Sequence, residues 1–600
     1  MEGKSVSHAL TTVFKESSDF LVIGFTGRTG SGCSTCAKIL TDPGLNLPEA
    51  SKSHYIGNEQ RKFRIIKKYI ENYWQPFKWL RVTSVITRYM LEISFEDLSS
   101  FISKTLEIDE DAIKKDFSDL KEKYQEASAH VKKFLALPEN TITEIENKKS
   151  EAYKLYFEFL PSFSKEMKKS LNNISIGAYT KIYQIAGDNI RASGKANLNE
   201  FDATQIFSFA KTIEKVIISA KFISKKNNTP CYIAIDAIRN PYEAIFLKQR
   251  HAEFYLISVN TNNENRLSHL RSSHKISEKQ IEDLDKKEYP AKLIGHNRYI
   301  SQNIQKCIEI ADIHINNPRT DLFGHNELRC QLAWYVSLML HSGLVMPTST
   351  ESCMQIAYSV KKNSGCISRQ VGAVVTDSNF AVKAVGWNNT AQGQVPCLLR
   401  SAEDLLNGTD ESAYSFYEKN NSKFREVLKH KFINLVNIEY SNGRNLSFCF
   451  KDLQNEVESE KNQVHTRSLH AEENAFLQIS KYGGQPLMGG VLFTTASPCE
   501  LCAKKAYQLG ISQVFYIDPY PGIATSHILS VGENAPELVL YRGAVGSAFD
   551  RLYQPIMPYK DELDLLFSIP KFESKKDNEI RLLKLENEQL KNTINKMKST

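Results

Sequence analysis

Hydrophobic and polar positions alternate between two kinds of pattern along the chain. Short, nearly continuous apolar runs stand at residues 20–25, 231–235 and 254–259, and a more polar stretch at 311–317 looks like the last strand of the series. Each of the three runs has strand length and little polar alternation, as expected of strands buried on both faces of a parallel sheet. Between them, residues 97–133 and 141–169 place apolar side chains every three or four positions and predict amphipathic helices inside an insertion at about 50–228. A connecting helix and turn at 327–347 leads into a second series. It predicts a helix over 351–363, paired strands at 371–375 and 381–385, a charged, partly helical insertion at about 399–465, a helix after His470, and strands at 490–495, 513–517 and 537–541. The fold class is therefore α/β, with a parallel sheet over 15–325 and an αβα sandwich with a mixed sheet over 345–570.

The tail has a third pattern. Ile580, Leu583, Asn587, Leu590, Ile594 and Met597 are spaced by 3, 4, 3, 4 and 3 residues. That is a heptad seam with a polar residue that selects register, and it predicts a short C-terminal coiled coil over 575–600 reinforcing a homo-oligomer.

Composition narrows the class without deciding it. Six hundred residues exceed one core, and 41% hydrophobic content suits a globular chain. A formal charge of +7 is too mild to argue for nucleic acid by itself. The eleven scattered cysteines fit a reducing cytoplasm better than a disulfide framework. No basic segment followed by an apolar one opens the chain, and the longest uncharged stretch, 330–350, is too polar for a membrane span. The expectation is a soluble, cytoplasmic protein with no membrane partner.

Candidate chemistry lies in two places. The first is His470-Ala471-Glu472, then twenty-five residues, then Pro498-Cys499-Glu500-Leu501-Cys502. One imidazole and two thiolates are a complete protein shell for catalytic Zn2+, which keeps its fourth position for water. Zinc lowers the pKa of that water to about 7. Glu472 stands beside it to move protons, taking one from water, protonating ring N3 and assisting the departure of ammonia. This is the signature of zinc-dependent nucleotide deaminases. A structural zinc or a pair of core cysteines is the competing reading, and a structural site normally has four protein ligands.

The second place follows the first strand: Gly27, Arg28, Thr29, Gly30, Ser31, Gly32, Cys33, Ser34 and Thr35. Strand, glycine-rich loop and helix form a P-loop arrangement, in which backbone N–H groups converge on phosphate. Gly27 and Gly32 keep the motif's spacing, Ser34 has the place of the magnesium-binding hydroxyl, and Asp236 ends a strand as a magnesium-holding carboxylate does. The lysine position holds Cys33, so the expectation is binding of ATP or another nucleotide with Mg2+, without kinase turnover. Arg28 is a candidate to replace the lysine, and a glycine turn without a ligand is the alternative. A mix of basic and aromatic residues at 61–88, with Tyr69, Tyr73, Trp74, Phe77 and Trp79, fits either RNA binding or a packed helix.

The strand order at 19–45 and 229–318 resembles nucleotide kinases of the adenylate-kinase type. Gly386-Trp387-Asn388, together with the zinc motif, resembles the dCMP deaminase family. That resemblance implies a sugar-binding role for Asn388 and a contact from the Ala471 N–H to the pyrimidine carbonyl. Tyr516 and Tyr520 become candidates to pack on base or sugar, and Arg369 and Arg400 candidates to reach phosphates, with core packing or solvation as the alternatives. Some relatives carry a second zinc. Cys366, Cys397 and His465 are candidates for it, but a fourth ligand is missing and no second metal is expected. The combination of both halves, with residues 516–523 and Tyr553 through Glu562, resembles the bacterial anti-phage dCTP/dCMP deaminases. It implies deamination of dCTP and/or dCMP that starves phage DNA synthesis, and a resting state held inactive, in some members by a small inhibitory RNA. Two other readings remain open: a polynucleotide cytidine deaminase, and a nucleotide-sensing P-loop regulator whose deaminase domain only binds.

Overall fold

A computed structural model describes residues 19–274, 276–290, 293–319, 324–436, 443–484, 486–518, 523–567 and 575–597. Residues Ser17–Gln554 form one compact unit; Met1–Glu16 and Pro555–Thr600 form another. The described part of the latter holds a helix at Tyr559–Phe567 and a long helix at Lys575–Met597. Ile580, Leu583 and Leu590 of the predicted seam are exposed on it.

The large unit contains two sheets. The first is built from β1 (Phe20–Thr26), β2 (Lys78–Leu80), β3 (Cys231–Ile235), β4 (Phe254–Asn260) and β5 (Ile313–Asn316), all parallel where they pair. Its order is β5-β4-β1-β3-β2. β1 is central and buried throughout, which is why its sequence shows no alternation. Val22, Ile233 and Leu256 face a core shared with the helical insertion, among Leu98, Leu160 and Ile213. Ile23, Ala234 and Ile257 face the other side, among Ile66, Leu332 and Trp334. The chain winds outward from β1 on both sides, so the loop after β1 opens at the crevice where ligands of such sheets lodge. That loop enters α1 (Cys33–Leu40).

The second sheet has β6 (Gly372–Thr376) and β7 (Val382–Trp387) as an antiparallel hairpin. A two-stranded ribbon, β8 (Asn389–Thr390) with β9 (Ser468–Leu469), follows. Then come β10 (Val491–Ala496), antiparallel to β6, and β11 (Gln513–Asp518) and β12 (Glu537–Leu540), added in parallel. The order is β12-β11-β10-β6-β7. α2 (Ser349–Val360) covers one face through Cys353, Met354 and Ala357. α3 (Ala471–Tyr482) covers the other through Ala471, Ala475 and Phe476. Two glycines permit this closeness: a Cβ on Gly372 would meet the Ala357 carbonyl oxygen at 2.0 Å, and one on Gly386 the Ala471 carbonyl oxygen at 2.2 Å.

The two sheets are joined in a way that the apolar pattern did not foretell. β13 (Gly543–Ala544) leaves the second sheet and pairs antiparallel with β5, becoming the sixth strand of the first. Beside it, the buried Glu351 carboxylate accepts hydrogen bonds from Tyr335 Oη at 3.0 Å, Tyr553 Oη at 2.8 Å and the Ala544 N–H at 3.1 Å. β2, β8, β9 and β13 were not expected, because two or three residues are too few to display a period. The connecting helix is Asn326–Leu340, buried from Cys330 to Leu340. Among the described residues no helix is long and apolar enough to cross a membrane.

Candidate active site

The chemistry of the second sheet collects at one edge. The register sets Gly372 opposite Trp387, Thr494 opposite Ala373 and Ala496 opposite Asp518. The start of β6 and the ends of β7, β10 and β11 therefore share that edge. His470 caps the N-terminus of α3, and Cys499 caps α4 (Glu500–Gln508), with Cys502 in its first turn. Three-residue spacing on a helix turns both sulfurs to one side.

His470 Nδ1 lies 3.1 Å from Cys499 Sγ and 3.5 Å from Cys502 Sγ. Tetrahedral zinc with ordinary Zn–S and Zn–N bonds sets such atoms about 3.5 Å apart, so the donor set and its spacing fit the ion. Among the described residues this is the one group of three His, Cys, Asp or Glu placed to hold a metal. A bond from the Cys502 thiol, followed by one to His470, holds the Cys499 thiol below its ordinary value, and the same bond raises Cys502. A ready thiolate at a helix N-terminus is what a divalent ion requires. Its bond to Cys499 in turn raises the His470 imidazole above its ordinary value.

Glu472 is the second residue of α3 and 4% exposed. Burial pushes its carboxyl above the usual range. Thr494 Oγ1, on β10, sits 3.2 Å from Glu472 Oε1 and 2.8 Å from the Ala496 carbonyl oxygen. Thr494 thus fixes the carboxylate toward the metal ligands, and nothing in the one-dimensional pattern singled it out.

The pattern of donors matches a known family. The model of the cytidine and deoxycytidylate deaminase zinc-binding region matches residues 347–518. Deoxycytidylate deaminase of Enterobacteria phage T4 is 30% identical over 169 residues, covering 28% of this chain and 76% of that one. The phage T2 enzyme is 30% identical over 167 residues, covering 28% and 78%. The chain belongs to the deoxycytidylate deaminase family. It is a hydrolytic nucleotide deaminase with a zinc-binding region. A solved dCMP deaminase from cyanophage S-TIM5, in complex with dCMP and dUMP, is 21% identical, with a TM-score of 0.20 over 33% of this chain and 99% of that one.

The deaminase's other expected residues are placed unevenly. Ala471 is fully buried in the first turn of α3. Asn388 spends its amide on backbone: Nδ2 donates to the Arg369 carbonyl at 2.7 Å and Oδ1 accepts from the Val371 N–H at 2.7 Å. It shapes the edge where Arg369 emerges. Arg369 pairs with Asp518, and burial pushes the Asp518 carboxyl up to about 6 despite that partner. Lys306, Lys361 and Arg369 line an open cavity of about 700 Å3 there. Tyr516 is half-buried on β11. Tyr520 lies outside the described residues. Arg400 requires a correction: it neither reaches this edge nor faces solvent. It is fully buried in the insertion, paired with Glu418 and set against the Tyr414 and Phe448 rings at 5.0 and 4.8 Å. His465 Nε2 lies 2.8 Å from Glu458 Oε2, and Cys397 is buried.

The glycine loop is arranged differently. Gly32, at φ 118°, caps α1, and Ser34 Oγ donates to Asp236 Oδ2 at 3.3 Å. Asp236 Oδ1 also accepts the Val82 N–H at 2.9 Å. Cys33 is buried and its thiol is pushed up to about 11. It carries no charge in the lysine's place. Arg28 turns away from the loop to Asp285, 2.6 Å, and Asn263, 3.2 Å. Three other arginines reach the loop: Arg239 Nη2 donates to Thr29 Oγ1 at 3.1 Å and Arg266 Nη1 to the Thr29 carbonyl at 3.3 Å, with Arg319 the third. Arg319 donates to the Gly30 carbonyl, and Asn317 Nδ2 to the Ser31 carbonyl at 2.8 Å. Arg239 lies three residues past the strand-ending aspartate, the one sequence cue that could have marked it. The aromatics near 61–88 mostly pack: Phe77 is buried, Trp74 Nε1 donates to the Asp42 carbonyl at 3.0 Å, and Tyr69 stacks on Tyr73.

Proposed function

We propose that this chain deaminates deoxycytidine nucleotides, converting dCMP and/or dCTP to dUMP and/or dUTP. The observation that carries the reading is the buried Glu472 beside the three converging donors His470, Cys499 and Cys502. Zinc held by those donors supplies a water acidified to a pKa near 7. Glu472 takes a proton from the nucleophile and delivers it to ring N3, then takes the proton of the hydroxyl added at C4 and passes it to the amine, which leaves as ammonia as the C4 carbonyl forms. The Ala471 N–H, at the positive end of α3, is a donor for the pyrimidine carbonyl. The cavity lined by Lys306, Lys361 and Arg369, with Glu309 among them, supports a phosphorylated substrate over a free nucleoside.

The glycine-loop half is read as a nucleotide-binding regulator without kinase turnover, its Ser34 and Asp236 set for Mg2+ and its lysine replaced by Cys33. The exposed Ile580, Leu583 and Leu590 support a coiled coil between copies. The resemblance to anti-phage deaminases extends the reading to depletion of deoxycytidine nucleotides during infection, under restraint by a small RNA in the cytoplasm.

The test is incubation of purified protein with the cytidine and deoxycytidine mono-, di- and triphosphates, with and without ATP, and with cytosine-containing oligonucleotides. Products dUMP or dUTP are expected. Turnover confined to oligonucleotides would replace this reading with polynucleotide deamination.

A further inference from the structure

The anion seat of the glycine loop is filled by the chain itself. Glu288 ends the helix Glu278–Glu288 and is fully buried. Its carboxylate accepts the Thr29 N–H at 3.0 and 3.2 Å, and also takes the Thr29 hydroxyl and the Arg239 guanidinium. A converging backbone N–H, a hydroxyl and an arginine are the donors that such a loop offers to phosphate. Asp285, one turn earlier on the same helix, holds Arg28 and Arg266 at 2.6 and 2.7 Å. Two carboxylates of one helix thus neutralise three arginines around the loop.

Beside this seat lies a cavity of about 470 Å3 between the sheet edge and the helical insertion, a volume within the range of nucleotide-sized ligands. Thr29, Ser34, Asp236 and Arg239 belong to its wall. So does Trp79, with the Arg81 guanidinium 3.9 Å from its ring. Two further wall residues hold polar atoms without a protein partner: Gln184 Nε2, in a side chain 9% exposed, and Gln302 Oε1, in one 3% exposed. Buried amide groups nearly always find partners. Both side chains and the Trp79 ring belong to the wall, a polar and aromatic lining suited to a nucleobase or a ribose.

We propose that this cavity takes a nucleoside polyphosphate whose phosphate displaces the Glu288 carboxylate from Thr29 and Arg239, so that Glu288 is a built-in competitor setting the concentration at which the site fills. The proposal deepens the nucleotide-binding reading of the loop and rests on it. With Cys33 uncharged, Arg239 is the arginine bonded to both the Thr29 hydroxyl and Glu288, and it cannot serve Glu288 and a phosphate at full strength together. Nucleotide entry therefore frees the Glu288 end of that helix, while Asp285 keeps its pairs with Arg28 and Arg266.

The experiment is calorimetric titration of the full chain with ATP, dCTP and inorganic triphosphate, each with Mg2+. Glu288→Gln keeps the shape and removes the charge; it is expected to bind all three at least tenfold more tightly than the natural chain. Arg239→Gln is expected to weaken all three at least tenfold. Gln184→Leu and Gln302→Leu are expected to weaken ATP or dCTP while leaving inorganic triphosphate unchanged. If melting shows Glu288→Gln unfolded, Glu288→Asp, which withdraws the carboxylate by one methylene, is read in its place with the same sign. Equal affinity in the natural chain and the Glu288 variant overturns the competition and leaves the nucleotide-binding reading standing. No binding of any probe to either overturns both.

Discussion

Two sites in this molecule gather reactive groups at helix N-termini, and they are satisfied in opposite ways. At α3 and α4 the chain brings together an imidazole and two sulfurs, and among the described residues these three are the group placed to hold a metal; the arrangement is complete only with a cation from outside. At α1 it brings together N–H groups and arginines, then supplies the counter-charge itself through Glu288. A site that leaves its charge demand unmet binds its ion as part of the fold. A site that meets the demand internally is set against its ligand, and its occupancy can follow concentration. The first suits a permanent cofactor and the second a variable signal.

The strongest way to test that contrast is to disable the first site alone. Glu472→Gln is expected to lower the rate of deamination by about 10²- to 10⁴-fold, the usual range for a positioned acid-base group. Zinc content, measured by atomic absorption, should stay at one per chain, and nucleotide affinity at the loop should not change. Loss of zinc in that variant would mean that Glu472 is a ligand rather than a proton carrier. Removing zinc with a strong chelator should abolish turnover and lower the unfolding temperature, both restored by adding zinc back, with the loop's affinity again unaffected.

A smaller effect tests how the ligands are held. Gly386→Ala places a methyl group against the Ala471 carbonyl oxygen and the Ala475 N–H, at 2.2 and 2.5 Å. The cost is expected to be about 1–3 kcal/mol, typical of overpacking, visible in chemical denaturation, with weakened zinc retention because α3 carries His470. The same methyl on Gly44, which faces open space, should leave both unchanged.

The smallest effect concerns the seam between the halves. His314 on β5 is fully buried, both ring nitrogens lack a partner, and burial, followed by Lys248 and Lys361, pushes its pKa down to about 3. In the unfolded chain it titrates near 6.5. The unfolded state therefore binds more protons below that value, and stability falls as pH drops from about 6.5 toward 3. The loss at pH 5 should be about 2 kcal/mol from this group. His314→Phe should flatten that part of the pH profile of the melting temperature. An unchanged profile would show that His314 does not govern it.

The strands that carry the large cores were legible because most are short, predominantly apolar runs, as at Phe20–Thr26 and Val491–Ala496. The three metal donors and Glu472 were legible because their chemistry restricts residue type and spacing. Thr494, Arg239 and Glu288 were not, since each acts by reaching a partner remote in sequence; Glu288 lies 259 positions from Thr29. Arg400 misled for a related reason. A charged side chain reads as surface until its partner Glu418 is seen buried with it. Asn388 stands at the expected corner, but its two backbone bonds were invisible to a motif.

The excursion of Gly543–Ala544 into the first sheet has a practical meaning. A cut at the apparent boundary near residue 345 would strip the N-terminal fragment of its outermost strand and leave the ladder of β5 bare. Bare edges invite pairing between copies and precipitation. Neither half is a detachable module, and a disturbance at one is transmitted through shared backbone to the other.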